Sequence, residues 1–214
     1  MKRKLLAALA AVSSVFVYAK YIRPWHLRWG ATDEEVHRPR PGDERVPDAM
    51  VVSNHAIAIN APAEAVWPWL VQMGQERGGF YSYTWFENLF GTHMRNAERI
   101  VPEWQHLAPG DRVHTHPRVG LPVIEVIPGR AIVLADDWAF FVDPVDDRTS
   151  RLLIRSRSGY KHPDLKLPPL NFVYWRGIFE PLHFIMERGM LRGIKRRAER
   201  AFAESREPIH HAIV

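Results

Sequence analysis

Cysteine is absent from this chain of 214 residues. Its absence excludes disulfide frameworks, zinc sites built on thiolates and catalytic cysteines. The glycine patterns that hold phosphates in nucleotide-binding proteins are missing as well, because the Gly78-Gly79 pair fits neither of them. No nucleophile motif of a hydrolase is present. The sequence therefore contains no complete catalytic signature, and we expect no cofactor.

A basic surface of the kind that binds nucleic acid is also missing. The net charge is +5, but residues 1–28 carry six basic residues and no acidic residue. The rest of the chain then has 23 basic and 24 acidic residues. A domain near neutrality lacks the electrostatic footprint that phosphate binding needs, so we expect no nucleic-acid partner.

The chain lacks a run of about 20 apolar residues, the length that spans a bilayer comfortably. The uncharged segment from Leu5 to Ala19 is shorter, and Lys20 ends it. With Lys20 reaching the headgroups, residues 1–28 can still span, and we expect an uncleaved single-pass membrane anchor. A signal peptide cleaved after Val17-Tyr18-Ala19, which would make the protein secreted, is the alternative. An amphipathic or buried helix is the third interpretation.

Proline and charge divide the chain into four parts. Residues 1–28 are the predicted anchor or signal segment, and residues 29–50 are polar and proline-rich, as in a linker or an extended arm. The folded domain is expected over residues 51–206, with a short tail at residues 207–214.

The domain begins with one strand and two helices. Alternation over residues 51–60 indicates the strand. A helix is expected from Ala63 to about Met73, with Gly74 as its end. A shorter helix is expected over residues 84–91, where Thr84 and Glu87 have the spacing of a capping box.

The remainder predicts an antiparallel meander followed by a long helix. Short apolar runs between residues 100 and 157 are separated by turn sequences, as in consecutive hairpins. A long amphipathic helix from Pro181 to about Glu204 would cross the sheet, and Gly189 and Gly193 would leave room for a cavity beneath it. The expected apolar stripe of this helix consists of Leu182, Ile185, Met186, Met190, Ile194 and Phe202.

The stretch INAPAEAVWPWLVQMG, Ile59 to Gly74, resembles the opening strand and first helix of the SRPBCC superfamily. These START-like, helix-grip proteins include polyketide cyclases and lipid-transfer domains. The resemblance covers roughly residues 29–206 and implies an α+β fold in which a curved antiparallel sheet wraps a long C-terminal helix. Further motifs look like a membrane-anchored bacterial branch: Trp29 to Thr32, Arg77 to Tyr83, Trp85 to Leu89, Pro102 to Gln105 and Phe179 to Phe184.

Neither the superfamily fold nor these motifs specify a reaction, because the fold hosts binding and catalysis alike. Thr84 stands where relatives often carry Asp. Both residues are good helix N-caps, so we expect this position to start a helix rather than to catalyse.

Aromatic side chains concentrate in residues 80–90 and 172–186. They could line the mouth of a cavity, where the hydroxyls of Tyr81 and Tyr83 would orient a polar end of a ligand. Ordinary core packing is the alternative, and Tyr174 and Trp175 could instead touch a membrane surface. The expected ligand-binding residues are Trp67, Phe80, Tyr81, Tyr83, Trp85, Phe86, Phe90, Trp138, Trp175, Phe179 and Met186.

Two histidines, His114 and His116, stand at i and i+2, a spacing that puts both on one face of a strand. A metal site would need a third ligand, for which His93, Glu103 and Glu125 are candidates without a placement. Solvent-facing histidines are the better interpretation, so we expect no metal.

Arginines are expected on the outer face of the last strand, because Leu152 and Ile154 face inward. These arginines are Arg151, Arg155 and Arg157. Asp136-Asp137 lies between a strand and Trp138. There an acid could have a raised pKa, although a turn acid is the more common case.

The leading expectation is a protein that binds an apolar small molecule or lipid in an internal cavity near a membrane. The alternative is a polyketide cyclase-like or dehydratase-like enzyme in the same cavity, with Tyr81, Asp137, His93 or Arg155 moving protons. A non-catalytic interaction module with a filled core is the third possibility. No residue has an assigned catalytic role.

Overall fold

The computed structural model describes residues 2–135, 138–158 and 174–206. The strands are β1 (Val51–Ile59), β2 (Arg112–His116), β3 (Val119–Ile127), β4 (Ala131–Leu134), β5 (Trp138–Asp146) and β6 (Thr149–Ser158). The helices are α1 (Lys2–Val17), α2 (Arg23–Leu27), α3 (Asp33–His37), α4 (Ala63–Val71), α5 (Thr84–Asn88) and α6 (Glu180–Glu204). π-Helical turns at Tyr18–Ile22 and Trp175–Phe179 precede α2 and α6.

The six strands form one curved antiparallel sheet in the order β1-β6-β5-β4-β3-β2. Strands β2 to β6 are the predicted meander, and β1 pairs with β6 from Val51 opposite Ser158 to Ile59 opposite Ser150. Helix α6 packs against β1 and α4. The predicted α+β architecture, an antiparallel sheet with a long C-terminal helix, is therefore confirmed.

The inner face of the sheet, which α4 and α6 cover, carries a continuous core. Ile59, Leu152 and Ile154 point into it, as the alternation of β1 and β6 predicts. The largest side chains in its centre, Trp69 and Phe140, are fully buried. Burial of each large apolar side chain contributes about 2 kcal/mol.

The prediction that glycines leave a cavity under α6 is wrong. A Cβ on Gly193 would lie 1.9 Å from the carbonyl oxygen of Tyr81, and a Cβ on Gly189 would lie 2.7 Å from the ring of Tyr83. Both glycines therefore let residues 81–83 approach the helix closely. The ligand cavity was expected beneath α6. Residues 81–83 and core side chains lie there instead.

The buried stripe of α6 is rotated from the predicted one. Phe184, Leu191 and Ala198 face the protein interior, whereas Ile185 is 48% exposed. The buried series also contains Glu187. Met190 and Ile194 of the predicted stripe are buried, but a stripe drawn through apolar residues alone excludes this carboxylate and so places the centre of the buried face incorrectly.

The predicted capping box of α5 is not formed. The helix follows Tyr83 and has no side-chain cap, because Thr84 is its first residue rather than the residue before it. The side chain of Glu87 turns inward instead. Both early helices are also shorter than predicted, since α4 ends at Val71 and α5 at Asn88.

Residues 29–50 lie along the outer face of the sheet. Helix α3 opens with a complete capping box between Thr32 and Glu35. Arg155, which is only 3% exposed, donates to the carboxylate of Asp43 at 2.6 Å and to the carbonyl oxygens of Glu35 and Val36 at 2.7 and 3.1 Å. This arginine is on the outer face, as predicted, but the segment covers it.

The N-terminal segment attaches to the beginning of α6. The hydroxyl of Tyr18 donates to the carbonyl of Arg176 at 2.7 Å, so it accepts from Nε2 of His26 at 3.2 Å. Burial lowers the pKa of His26, which fits a ring that donates through one nitrogen. Arg23 forms two hydrogen bonds with the carboxylate of Glu180, at 2.8 and 3.0 Å.

Helix α1 extends away from these contacts, and its side chains Leu6 and Phe16 are exposed. Within the described part of the chain, no helix has both the length and the apolar character that crossing a membrane requires. The membrane anchor predicted over residues 1–28 stays a prediction.

Replacing Arg155 with methionine is expected to lower the free energy of unfolding by about 3 kcal/mol, as measured in urea. The substitution leaves Asp43 with a longer contact to Arg157, 3.5 Å, and removes the donor from several backbone carbonyls. Arg200→Met is the matched control, because it removes a partly exposed ion pair with Glu98 and should cost no more than about 1 kcal/mol. Equal losses in the two variants would contradict this account.

Candidate functional site

A buried carboxylate, Glu187, lies where α6 crosses the sheet and is 2% exposed. Trp138 on β5 donates its Nε1 proton to Oε1 at 2.6 Å, and the hydroxyl of Ser156 on β6 donates to the same oxygen at 3.2 Å. Oε2 is hydrogen-bonded to Nδ1 of His55 on β1. Residues on three strands therefore form hydrogen bonds with one carboxylate.

His55 extends this network to the N-terminal segment. Its Nε2 lies 2.7 Å from the carbonyl oxygen of His26, and a carbonyl only accepts, so this nitrogen carries a proton. When Glu187 is ionised, it accepts the proton of Nδ1 and both ring nitrogens donate. The imidazole thus connects β1, α6 and the segment that precedes the domain.

Glu187 stays ionised despite its burial. Burial raises the pKa of its carboxyl, but the charges of His183 and His55 and the hydrogen bonds from His55 and Trp138 outweigh burial and lower the pKa to about 2. Nε2 of His183, one helical turn earlier, lies 3.6 Å from Oε1. Such charge-assisted contacts are stronger than neutral hydrogen bonds.

An apolar pocket of about 260 Å³ opens between α5 and the start of α6. The volume exceeds the ~150 Å³ of a cavity that holds benzene and approaches the ~300 Å³ of the smallest drug-binding pockets. His183 lies between the pocket and the buried network: its side chain lines the pocket, and its Nε2 contacts Glu187. The lining residues are Phe86, Glu87, Phe90, Thr92, Phe179, Leu182, His183 and Met186.

Glu87 is the polar exception in this lining. Its side chain is 9% exposed, and within the described residues its Oε2 atom is buried without a hydrogen-bond partner. Burial raises the pKa of this carboxyl to about 7. The pocket therefore holds an acid that titrates near neutrality.

A larger depression of about 500 Å³ lies further along α6. Four of its five charged residues are paired, Arg197 and Arg200 with Glu98 and Glu199 with Lys195. Arg197 also donates to the carbonyl of Ala97 at 2.8 Å. Because these charges are already paired, we place the candidate site at the apolar pocket. The depression is lined by Glu98, Arg196, Arg197, Glu199 and Arg200.

Four of the eleven predicted ligand-binding residues line the apolar pocket: Phe86, Phe90, Phe179 and Met186. Trp175 lies beside it, with its ring 4.5 Å from that of Phe179.

The other six lie in the core or on the surface. Phe80 and Tyr81 are buried, and Trp67 packs against the same core. Trp138 stacks on Phe80 at 5.7 Å and donates to Glu187. Tyr83 and Trp85 are exposed. Ligand binding by any of the eleven stays a prediction.

The three described residues among those proposed for proton transfer in an enzyme do not share a site. Tyr81 is buried in the core, where burial raises its pKa and Gln72 donates to its hydroxyl at 3.1 Å. Arg155 is on the outer face of the sheet, and His93 is exposed. Asp137 lies outside the described residues, as does Asp136.

The predicted common face of His114 and His116 is interrupted. The pairing of β2 with β3 shifts register between these two residues, as in a β-bulge. Across the described residues, no group of three or more histidines and acids is placed to hold a metal ion.

Sequence reasoning missed Glu187, His55 and His183. Two features of the sequence could have identified His55 and Glu187. His55 continues the inward face that Ile57 and Ile59 define on β1. Glu187 is spaced three and four residues from Phe184 and Leu191, on the buried face of α6.

No family model and no curated protein matches the chain. Three solved structures resemble it in part. A Polyketide_cyc-like protein, Cgl2372 from Corynebacterium glutamicum, is 17% identical with a TM-score of 0.33, over 75% of this chain and 96% of that one. A conserved protein of unknown function, EF2215 from Enterococcus faecalis, is 8% identical with a TM-score of 0.32, over 77% and 93%.

The third is the Aha1 dimer from Colwellia psychrerythraea, which is 16% identical with a TM-score of 0.29, over 65% of this chain and 98% of that one. Matches at these identities and TM-scores carry no conclusion about function. The membrane-anchored branch that the sequence motifs suggest stays a prediction.

Glu187→Gln is expected to remove a pH-dependent part of the stability. The pKa of Glu187 falls from its ordinary value of 4.5 to about 2 on folding, so its stabilisation is present above pH 4.5 and disappears as the pH falls through 2. A shift of this size corresponds to about 3 kcal/mol. Urea unfolding at pH 6 and at pH 2.5 should show the wild-type protein losing about 2.5 kcal/mol more stability than the variant, because part of the stabilisation remains at pH 2.5. An identical pH response of the two proteins would refute the assignment.

Proposed function

We propose that the protein binds a small apolar or amphipathic molecule in the pocket between α5 and α6, close to a membrane surface. The lining supports this most directly. Five apolar side chains surround the pocket, from α5 and the residues that follow it, from the π-helical turn and from α6, and aromatic rings with a methionine give adaptable contacts to an apolar ligand. These five residues are Phe86, Phe90, Phe179, Leu182 and Met186.

The pocket volume limits the ligand to a ring or a short acyl chain. Burying about 150 Å² of apolar ligand surface contributes about 4 kcal/mol, which corresponds to a Kd of about 1 mM. Tighter binding requires a longer molecule that continues through the mouth, or a polar contact inside. Both sources of affinity are compatible with an amphipathic lipid or a similar molecule.

Exposed apolar side chains around the mouth support a position at a membrane. Trp85 on α5 is 68% exposed, and Leu89, directly after this helix, is 71% exposed. Phe90 is exposed and also lines the pocket, and Ile178, next to Phe179, is exposed as well. Apolar clusters of this kind mark sites that meet a partner or a membrane.

The basic residues of the N-terminal segment supply positive charge that attracts anionic lipid headgroups. Residues 1–28 have six basic and no acidic residues. Arg23 pairs with Glu180 and Arg28 with Asp33, so the other four basic residues favour a surface of anionic lipid. The arginines of α6 contribute less, because Arg188 and Arg192 lie over the ring of Trp29, at 5.1 and 5.6 Å.

Met186→Trp should fill the pocket and weaken the binding of benzene at least tenfold. A calorimetric or NMR titration of the full chain would measure this change. The matched control is Ile185→Trp, the same substitution at the neighbouring position, which is exposed and does not line the pocket. The control should bind benzene as the wild-type protein does. Unchanged binding in Met186→Trp would place the ligand elsewhere.

Trp85→Ser combined with Leu89→Ser should weaken sedimentation with vesicles of phosphatidylglycerol, because about 3 kcal/mol of apolar burial is lost. Benzene binding should be unaffected, since neither residue lines the pocket. Val145→Ser, an exposed position on the β5–β6 hairpin, serves as the control and should sediment like the wild-type protein. Equal sedimentation of all three proteins would rule out this surface as the membrane contact.

A further inference from the structure

Glu87 is an unusual member of an apolar lining. A buried carboxyl oxygen without a partner costs free energy, so native structures rarely retain one without a role. The capping function that its sequence position suggests is not used. Its neighbour in the lining, Thr92, is engaged, because its hydroxyl donates to Oδ1 of Asn88 at 3.0 Å.

The described charged side chains around α5 interact with groups other than Glu87. On α6, Glu180 pairs with Arg23, and His183 lies 3.6 Å from Glu187. On the π-helical turn before α6, the charged residue is Arg176, which does not line the pocket. His93, which follows α5, is exposed. Burial alone accounts for the raised pKa of Glu87, with no opposing charge.

A protonated carboxyl in these surroundings is a hydrogen-bond donor. Its proton needs an acceptor, and the oxygen atom without a partner is one of the two on which that proton can reside. An ammonium group would instead require both the ionisation of Glu87 and the dehydration of three N–H donors in an apolar pocket, which one carboxylate compensates poorly.

We propose that Glu87 donates a hydrogen bond to a carbonyl oxygen at the polar end of the ligand, so that the pocket selects ketones and esters over amines. This inference rests on the proposed function, because the apolar body of the ligand must enter the same pocket. It identifies the class of ligand: an apolar chain or ring that carries an uncharged acceptor oxygen.

The test compares three probes on the full chain by titration: benzene, octan-2-one and octylamine hydrochloride. Benzene should bind equally at pH 5.5 and pH 8.5. Octan-2-one should bind about fivefold more tightly at pH 5.5, the factor that one ordinary hydrogen bond supplies, because the donor proton is lost above neutral pH. Octylamine should bind more weakly than octan-2-one at both pH values.

Two substitutions separate the hydrogen bond from the shape of the pocket. Glu87→Gln keeps an N–H donor, so its affinity for octan-2-one should no longer depend on pH. Glu87→Leu should bind octan-2-one about fivefold more weakly than the wild-type protein at pH 5.5, a larger loss than it shows for benzene.

The outcomes distinguish this inference from the proposed function. If the wild-type protein binds benzene but shows no pH dependence with octan-2-one, the role of Glu87 is wrong and the pocket remains. Preference for octylamine at pH 8.5 would also overturn it, in favour of an ion pair. If benzene does not bind at all, the proposed function fails and the inference with it.

Discussion

One buried carboxylate, Glu187, determines how the long helix lies on the sheet. Its oxygens accept from His55, Trp138 and Ser156, which stand on three different strands. A shift or rotation of α6 would leave an ionised group buried without these donors, at a cost of several kcal/mol. This constraint turns Phe184 towards the sheet, and it leaves Met186 facing α5.

The position of the pocket follows from that orientation. Residues 81–83 occupy the space beside Gly189 and Gly193, so the centre of the sheet is closed and the opening lies at the start of α6. The N-terminal segment attaches at the same end of the helix, through Arg23 and Glu180. The pocket, the exposed aromatic residues and the attachment point of the N-terminal segment therefore lie at the same end of α6, which is the arrangement that the proposed function requires.

Local periodicity predicted the order of elements and the inward faces of β1 and β6, because alternation is a property of each strand alone. Contacts between distant parts of the chain have no such local signal. No sequence feature near Arg155 predicts that residues 29–50 will cover it. Glu187 falls outside the predicted apolar stripe, because that stripe contains apolar residues alone. The sequence shows that aromatic residues cluster at residues 80–90, but it does not show which of them line the pocket. Only packing separates Phe86 and Phe90, at the pocket, from Phe80 and Tyr81, in the core.

The most direct test of this account is anomalous diffraction from crystals of the protein soaked in 4-bromotoluene. The account predicts a bromine peak between α5 and the start of α6, in contact with Phe86, Phe179 and Met186. A peak beneath the middle of α6, between Met190 and Phe140, would show that the core opens to ligands and would contradict it. So would saturating soaks that leave the pocket between α5 and α6 empty.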